Sequence, residues 1–172
     1  MERKQRILYS ISHRRTSSQP SVDDKKIELV DETKLLGTHI TKDLKWNKNT
    51  KELIKKGFTR MQILNRAAGF TSNIEDLKSI YLIYVRSVVE QSAVVWHSSL
   101  TYKNRRDLER VQRCAVRVIL KNNYKGYKSG LKTLRIQTLK KRREMLCLKF
   151  AKNCLKDEKL KKFFPVKKSE HK

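Results

Sequence analysis

The sequence contains few of the residues on which several kinds of site depend. Among its 172 residues are only 5 glycines and 2 prolines. A phosphate-binding loop needs several glycines close together, whereas the glycines here are scattered, at Gly37, Gly57, Gly69, Gly126 and Gly130. No ordering of Ser, His and Asp along the chain rises above chance as the signature of a catalytic triad. The sequence therefore lacks the commonest signatures of nucleotide-hydrolysing enzymes and of acyl-transfer enzymes.

Cysteine is also scarce, with three residues at Cys114, Cys147 and Cys154. They form no Cys-x-x-Cys pair, and four histidines are dispersed over the chain, at His13, His39, His97 and His171. Structural zinc sites need closely spaced cysteine or histidine pairs. We therefore predict that the three cysteines are small core residues in a reducing compartment.

Long apolar runs are missing as well. No stretch approaches the roughly 18 apolar residues that span a bilayer, and residues 1–6 lack the apolar centre of a signal peptide. We expect an intracellular protein, in the nucleus or cytoplasm. A membrane-surface partner is a weaker alternative, because the basic helices show no exposed apolar face.

Acidic residues are few and poorly placed for catalysis. The chain has 17 Asp and Glu against 42 Lys and Arg. Polymerases and nucleases hold metal ions between converging carboxylates, but the close acidic pairs here fall in predicted turns, a helix cap and the tail, at Asp23-Asp24, Asp31-Glu32, Glu75-Asp76 and Asp157-Glu158. We expect no catalytic residue, no metal or other cofactor and no small-molecule substrate for this chain.

What the sequence does have is positive charge, a formal net charge of +25. Residues 101–172 hold 24 basic and 6 acidic side chains, whereas residues 1–100 hold 18 and 11. An ordinary small domain carries a net charge of a few units. Such self-repulsion favours a polyanionic partner, and the C-terminal part is predicted to face it.

The clearest pattern lies between Arg105 and Lys121, where two stripes recur at helical spacing. One stripe is apolar: Leu108, Val111, Ala115, Val118 and Ile119. The other is basic: Arg106, Arg110, Arg113, Arg117 and Lys121, which we call the cationic row. A row of this kind matches the regular charges of a nucleic-acid backbone. The alternative for an isolated basic helix is a merely solvated face.

A second basic cluster lies on a helix predicted from about Thr138 to Leu155. Its charges are Lys140, Lys141, Arg142 and Arg143, beside an apolar stripe of Leu139, Leu146, Phe150 and Cys154. Between the two helices, Tyr124 and Tyr127 are flanked by lysines, which makes them candidates for stacking on bases. We predict that both basic clusters bind nucleic acid.

The composition changes near Trp46. Before it, residues 7–11, 27–30 and 34–40 predict two or three antiparallel strands. After it, we predict a helix from Lys48 to Ala68 that ends at Gly69. A second, buried helix should begin with a capping box at Ser72 and Glu75, with one apolar stripe that consists of Ile74, Leu77, Tyr81, Tyr84 and Val88.

The predicted fold class is therefore α+β and mostly α. A small antiparallel β-hairpin or three-stranded element, residues 1–46, precedes a bundle of about four helices, residues 47–156. Residues 157–172 are predicted to be a basic, disordered tail.

The order of these segments resembles the C-terminal palm and thumb of non-LTR (LINE-like) retrotransposon reverse transcriptases, which are RNA-directed DNA polymerases. The resemblance covers about residues 7–155, through blocks at 27–46, 69–70, 82–89, 95–96 and 108–117. It implies that a turn of Lys34, Leu35, Leu36 and Gly37 corresponds to the primer grip. It also implies thumb and connection helices that hold an RNA/DNA primer-template.

The chain departs from that family in two ways. Prolines usual in the second thumb helix and before its tryptophan are replaced by Ser87 and Val94. The aspartates that bind magnesium in the parent enzyme would precede Met1, so this chain alone is expected to be inactive, as a fragment. The alternative is a basic helical scaffold protein that binds RNA without polymerase ancestry. A reading frame that continues upstream into an Asp-Asp motif would favour the first hypothesis.

Overall fold

The described part of the N-terminal region consists of short strands. The computed structural model describes residues 6–8, 21–22, 25–26 and 28–163. Its strands are β1 (Arg6–Leu8), β2 (Ser21–Val22), β3 (Lys25–Lys26), β4 (Glu28–Val30), β5 (Glu32–Leu35) and β6 (Thr38–Thr41). The remaining described residues are mostly helical, as the sequence predicts.

Strand pairing follows the prediction only in part. Strands β2 and β3 pair antiparallel, and so do β5 and β6. Strands β1 and β4, in contrast, pair in parallel, which the sequence analysis did not predict. The predicted strand 34–40 is interrupted by a turn at Leu36 and Gly37, whose φ angles are +47° and +83°. Two consecutive residues with positive φ are typical of tight hairpins whose turn matches the twist of the strands.

Eight α-helices and one π-helical segment lie in the described part of the chain. They are α1 (Asn47–Phe70), α2 (Ile74–Ile80), the π-helical segment (Tyr81–Arg86), α3 (Ser87–Val89), α4 (Ala93–Trp96), α5 (Tyr102–Leu120), α6 (Tyr127–Thr133), α7 (Leu139–Lys156) and α8 (Glu158–Lys161). Helices α4 and α6 were not predicted, and α8 lies where the sequence analysis placed a disordered tail.

Two predicted helix ends are displaced. Gly69 lies inside α1, which ends at Phe70. The next residue, Thr71, has an extended backbone. The cap of α2 is Asn73, whose side chain accepts a hydrogen bond from the backbone N–H of Glu75, and not Ser72. Both short polar side chains can cap a helix, so sequence alone leaves the position uncertain by one residue.

The π-helical segment corrects the predicted core of the second helix. The stripe predicted to include Tyr84 and Val88 instead continues through Val85 and Val89, which are fully buried. A π-helical turn contains an extra residue, so every position after Tyr81 is shifted by one. Tyr84 is consequently 43% exposed.

Helices α1 and α5 pack side by side and run parallel. At their beginnings, the side-chain amide of Asn104 donates to Asn47 Oδ1 at 2.8 Å. At their ends, Lys121 Nζ donates to the carbonyl oxygen of Ala68 at 2.6 Å. Trp46 and Trp96 are both buried, as expected for large rings that close a core. Among the described helices, none combines the length and apolar character needed to cross a bilayer.

Candidate nucleic-acid interface

Helix α5 presents its two stripes as the sequence predicts. Leu108, Val111, Ala115 and Ile119 are buried, and Val118 is partly buried against the same core. All five members of the cationic row are exposed. The periodicity therefore separates the packed face of the helix from its basic face correctly.

The middle of the cationic row lies on a series of aromatic rings. The guanidinium carbon of Arg110 is 5.6 Å from the ring centroid of Phe58, that of Arg113 is 5.0 Å from Tyr127, and that of Arg117 is 5.2 Å from Tyr124. A guanidinium over an aromatic face is attracted by the negative charge density of the ring. The two tyrosines predicted to stack on bases are thus stacked on arginines and are only partly exposed.

The two ends of the row differ from its middle. Arg106 Nε lies 3.9 Å from the carboxylate of Asp107, an exposed pair of little energetic value. Lys121 is occupied structurally, because its ammonium group donates to the carbonyl oxygens of Ala68 and Thr71 at the end of α1. Its backbone φ of +45° is rare for a residue with a side chain.

A buried hydrogen-bond network fixes the rings below the row. Gln112 accepts from the Tyr81 hydroxyl at 2.5 Å and donates to the Tyr127 hydroxyl at 2.9 Å. The Tyr127 hydroxyl in turn donates to Glu109. Burial, reinforced by the hydrogen bond to Glu109, raises the pKa of Tyr127 well above its usual range. Tyr127 is thus a neutral donor held in one position, with Arg113 above it.

Glu109 also fixes the second basic helix to α5. Its carboxylate accepts from the backbone N–H groups of Leu139 at 3.1 Å and Lys140 at 3.3 Å. A carboxylate is favoured there because the first turn of a helix has unpaired N–H donors and a partial positive charge. Thr138 adds a side-chain cap by accepting from Lys141 N. The orientation of α7 is therefore set at its first turn.

This orientation of α7 exposes some residues of the second basic cluster and buries another. Lys140 and Lys141 are exposed, and Arg142 is partly exposed and 3.6 Å from Glu90. Arg143, predicted to bind nucleic acid, is instead completely buried. It lies 5.8 Å from the Trp96 ring centroid, and its Nε donates to His97 Nδ1 at 3.3 Å. Arg143 is a structural residue, since no surface ligand can reach it.

Burial shifts the pKa of three side chains in this region. Desolvation lowers the pKa of Arg143, while Glu109 and Glu90 partly oppose the change. Desolvation, followed by the charge of Arg143, also lowers the pKa of His97. The pKa of Glu90 is raised by its own burial. Within the described residues, both terminal nitrogens of Arg143 lack a hydrogen-bond partner.

The segment that resembles a primer grip forms the exposed tip of the β5–β6 hairpin. Lys34, Leu35 and Leu36 are exposed, and the carbonyl oxygen of Leu36 accepts from Gln91 Nε2 at 3.2 Å. A Cβ added to Gly37 would lie only 2.5 Å from the same nitrogen. The positive φ is what favours glycine here, because the close approach is to the end of a flexible glutamine side chain that can move aside.

The hairpin lies at the end of the molecule where α1 and α5 begin. The backbone N–H of His39 donates to Asn49 Oδ1 at 3.1 Å, and Lys48 forms an ion pair with Glu32. The hairpin and the cationic row are thus carried by one pair of parallel helices. The side chains of α1 that flank the row, Lys51, Lys55 and Phe58, were not predicted as binding residues, although their spacing of three and four residues indicated a common face.

Among residues 6–8, 21–22, 25–26 and 28–163, no group of three His, Cys, Asp or Glu side chains could hold a metal ion. The cysteines agree with their prediction as core residues only in part, because Cys154 is buried and the other two are partly exposed. Comparison with protein-family models, curated proteins and solved structures finds no match to this chain.

Proposed function

We propose that this chain binds the backbone of nucleic acid through the cationic row. We further propose that it is the thumb region, with the last palm strands, of a reverse transcriptase of the non-LTR retrotransposon type. In that role it holds an RNA/DNA primer-template, while nucleotidyl transfer is performed by magnesium-binding residues outside this chain.

One observation carries the proposal: Arg110, Arg113 and Arg117 are exposed, follow one another at steps of three and four residues, and are held over aromatic rings. Stacking leaves the edge donors of a guanidinium free, and these donors match the geometry of phosphate oxygens. An arginine that is already ordered also loses less conformational entropy when it binds. Phe58, Tyr127 and Tyr124 thus act as supports for phosphate-binding groups.

The dimensions of the row suit a duplex. From Arg106 to Arg117, the part of the row that excludes the structurally occupied Lys121, the helix rises about 16 Å at 1.5 Å per residue. Over that length each strand of a duplex carries about five phosphates, one for every 3.4 Å. A straight row of cations matches such a repeating charge without reading bases, and affinity independent of sequence is what a primer-template grip needs.

The experiment compares two triple variants. Replacing Arg110, Arg113 and Arg117 by Gln removes three charges while keeping good helix formers. The matched control replaces Lys149, Lys152 and Lys156 on α7 by Gln as well. These lysines are also exposed and have the same helical spacing. Binding to a blunt RNA/DNA hybrid is measured by fluorescence anisotropy over a series of salt concentrations.

We expect the slope of log K against log salt to decrease by about 2 to 3 for the arginine variant, because each neutralised phosphate releases condensed counterion. The control variant should change it by less than about 1. Equal slopes for wild type and the arginine variant would overturn the proposal. Equal decreases in both variants would show binding by net charge without a defined surface.

A further inference from the structure

A groove of about 310 Å³ lies between α1 and α5, beside the cationic row. Its lining consists of Lys51, Ile54, Lys55 and Phe58 from α1, and Asp107 and Arg110 from α5. The volume is at the lower end of the range for small-molecule sites. It offers room for one nucleotide unit and not for a base pair.

The lining combines an apolar floor with a basic rim. Ile54 and Phe58 are partly buried, whereas Lys51, Lys55 and Arg110 are exposed. Neither lysine forms an ion pair within the part of the chain that the structure describes. Apolar surface beside several cations suits a ligand with one flat apolar part and one negative part, as in a nucleotide.

Arg110 supplies a flat surface at the side of the groove. Its guanidinium carbon lies over the Phe58 ring, 5.6 Å from the ring centroid, so the two groups form a cation–π pair. Unpaired bases stack on guanidinium planes as well as on aromatic rings. A base in the groove can therefore stack on this pair, and Asp107 can accept a hydrogen bond from the edge of the base.

We propose that the groove binds one unpaired nucleotide of a single-stranded tail, its base stacked on the Arg110–Phe58 pair and its phosphate held by Lys51 and Lys55. The inference rests on the proposed function and deepens it. A protein that only gripped duplex backbone would bind a blunt duplex and a tailed one alike. This site gives a preference for a duplex that ends in a single strand.

The experiment uses the full chain and an RNA/DNA hybrid with a short single-stranded tail, either 3′ or 5′. The fluorescent base 2-aminopurine, which is quenched when it stacks, occupies each tail position in turn. The decisive variant is Arg110→Lys, which keeps the charge and removes the plane. Its matched control is Arg113→Lys, because Arg113 is stacked on Tyr127 and lies outside the groove.

We expect wild type and Arg113→Lys to bind the tailed hybrid about tenfold more tightly than the blunt one, as for one stacked base. One tail position should be quenched in both proteins. Arg110→Lys should lose both the quenching and the tail preference, which Arg113→Lys retains. A second comparison uses two double variants on α1. Replacing both Lys51 and Lys55 by Gln should weaken binding of the tail. Replacing both Arg60 and Arg66, which are exposed on α1 outside the groove, by Gln should not.

Two results would overturn the inference. One is equal affinity of wild type for tailed and blunt hybrids without quenching at any tail position. The other is a tail preference that Arg110→Lys retains. In both cases, a salt slope on blunt hybrid that still depends on the arginines leaves the proposed function standing. Absence of binding to either hybrid refutes both proposals together.

Discussion

Helices α5 and α7 both carry closely spaced basic residues, yet they place them differently. The five members of the cationic row on α5 are all exposed. On α7, Lys140 and Lys141 are exposed, Arg142 is partly covered, and Arg143 is buried beneath Trp96. The spacing of basic residues along a helix, and not their number, therefore determines whether they form one exposed basic face.

Helical geometry explains the difference. Successive residues of an α-helix are about 100° apart, so residues at steps of three and four stay on one side. Four consecutive residues extend over about 300°, and one of them must face inward when the helix packs. Arg143 lies four residues after Leu139 and three before Leu146, which is the missing position of the predicted apolar stripe.

Truncation of the buried arginine on α7 is expected to have the largest effect on stability. Arg143→Ala should lower the free energy of unfolding by about 3 kcal/mol, because it leaves a cavity and uncompensated polar partners. Arg143→Met should recover most of that loss, since an apolar side chain of similar length fills the space without unpaired donors. Chemical denaturation followed by circular dichroism measures both.

Arg113→Ala on α5 is the control. It removes an exposed cation–π contact, so the loss should stay below about 1 kcal/mol. The contrast between the two helices would be wrong if Arg143→Ala left stability intact and weakened nucleic-acid binding as Arg113→Ala does. That outcome would return Arg143 to the binding surface that its sequence context suggests.

The sequence predicted what depends on regular periodicity. The faces of α5 follow from two clean stripes, although the helix begins at Tyr102, three residues before the predicted segment. The change at Trp46 separates strands from helices. What periodicity could not reveal is any local break in it. The extra residue of the π-helical turn moves the core from Tyr84 to Val85, and no residue type in that apolar segment marks the position of the turn.

The candidate site was predictable to a similar extent. The cationic row follows from α5 alone, because one helix contains both its charges and its packed face. The supports below it, and the groove toward Lys51 and Lys55, depend on which helix packs beside α5 and in which direction. That information lies in contacts such as Asn47 with Asn104, which join distant parts of the sequence.

A smaller effect is expected from pH, through the histidine that contacts Arg143. The pKa of His97 is lowered in the folded state by burial and then by Arg143. The unfolded chain therefore binds more protons near pH 6.5, and stability decreases as pH falls through that region. His97→Asn should flatten this decrease in a comparison of melting temperatures at pH 7.5 and pH 5.5.

Because the pKa of Glu90 also changes on folding, the effect of His97 has to be measured as a difference between wild type and the His97→Asn variant. The pKa of Glu90 is raised by burial, so its contribution decreases as pH rises above its unfolded value and opposes that of His97. Subtracting the pH profile of His97→Asn from that of wild type removes this common term. A wild-type profile that is no steeper than the variant's would show that His97 titrates alike in folded and unfolded chains.

The smallest effect concerns Lys121, the last member of the cationic row. Because its ammonium group bonds to the carbonyl oxygens that end α1, Lys121→Met should cost about 0.5 to 1 kcal/mol of stability. Its salt slope on hybrid should hardly change, whereas Arg106→Gln should leave stability unchanged and lower the slope by about 1. Denaturation and salt titration of the two variants separate these roles. Lys121→Met could instead lower the slope as much as Arg106→Gln does, without any loss of stability. That result would show that Lys121 leaves the carbonyl oxygens of α1 to bind phosphate, so that all five positions of the row act alike.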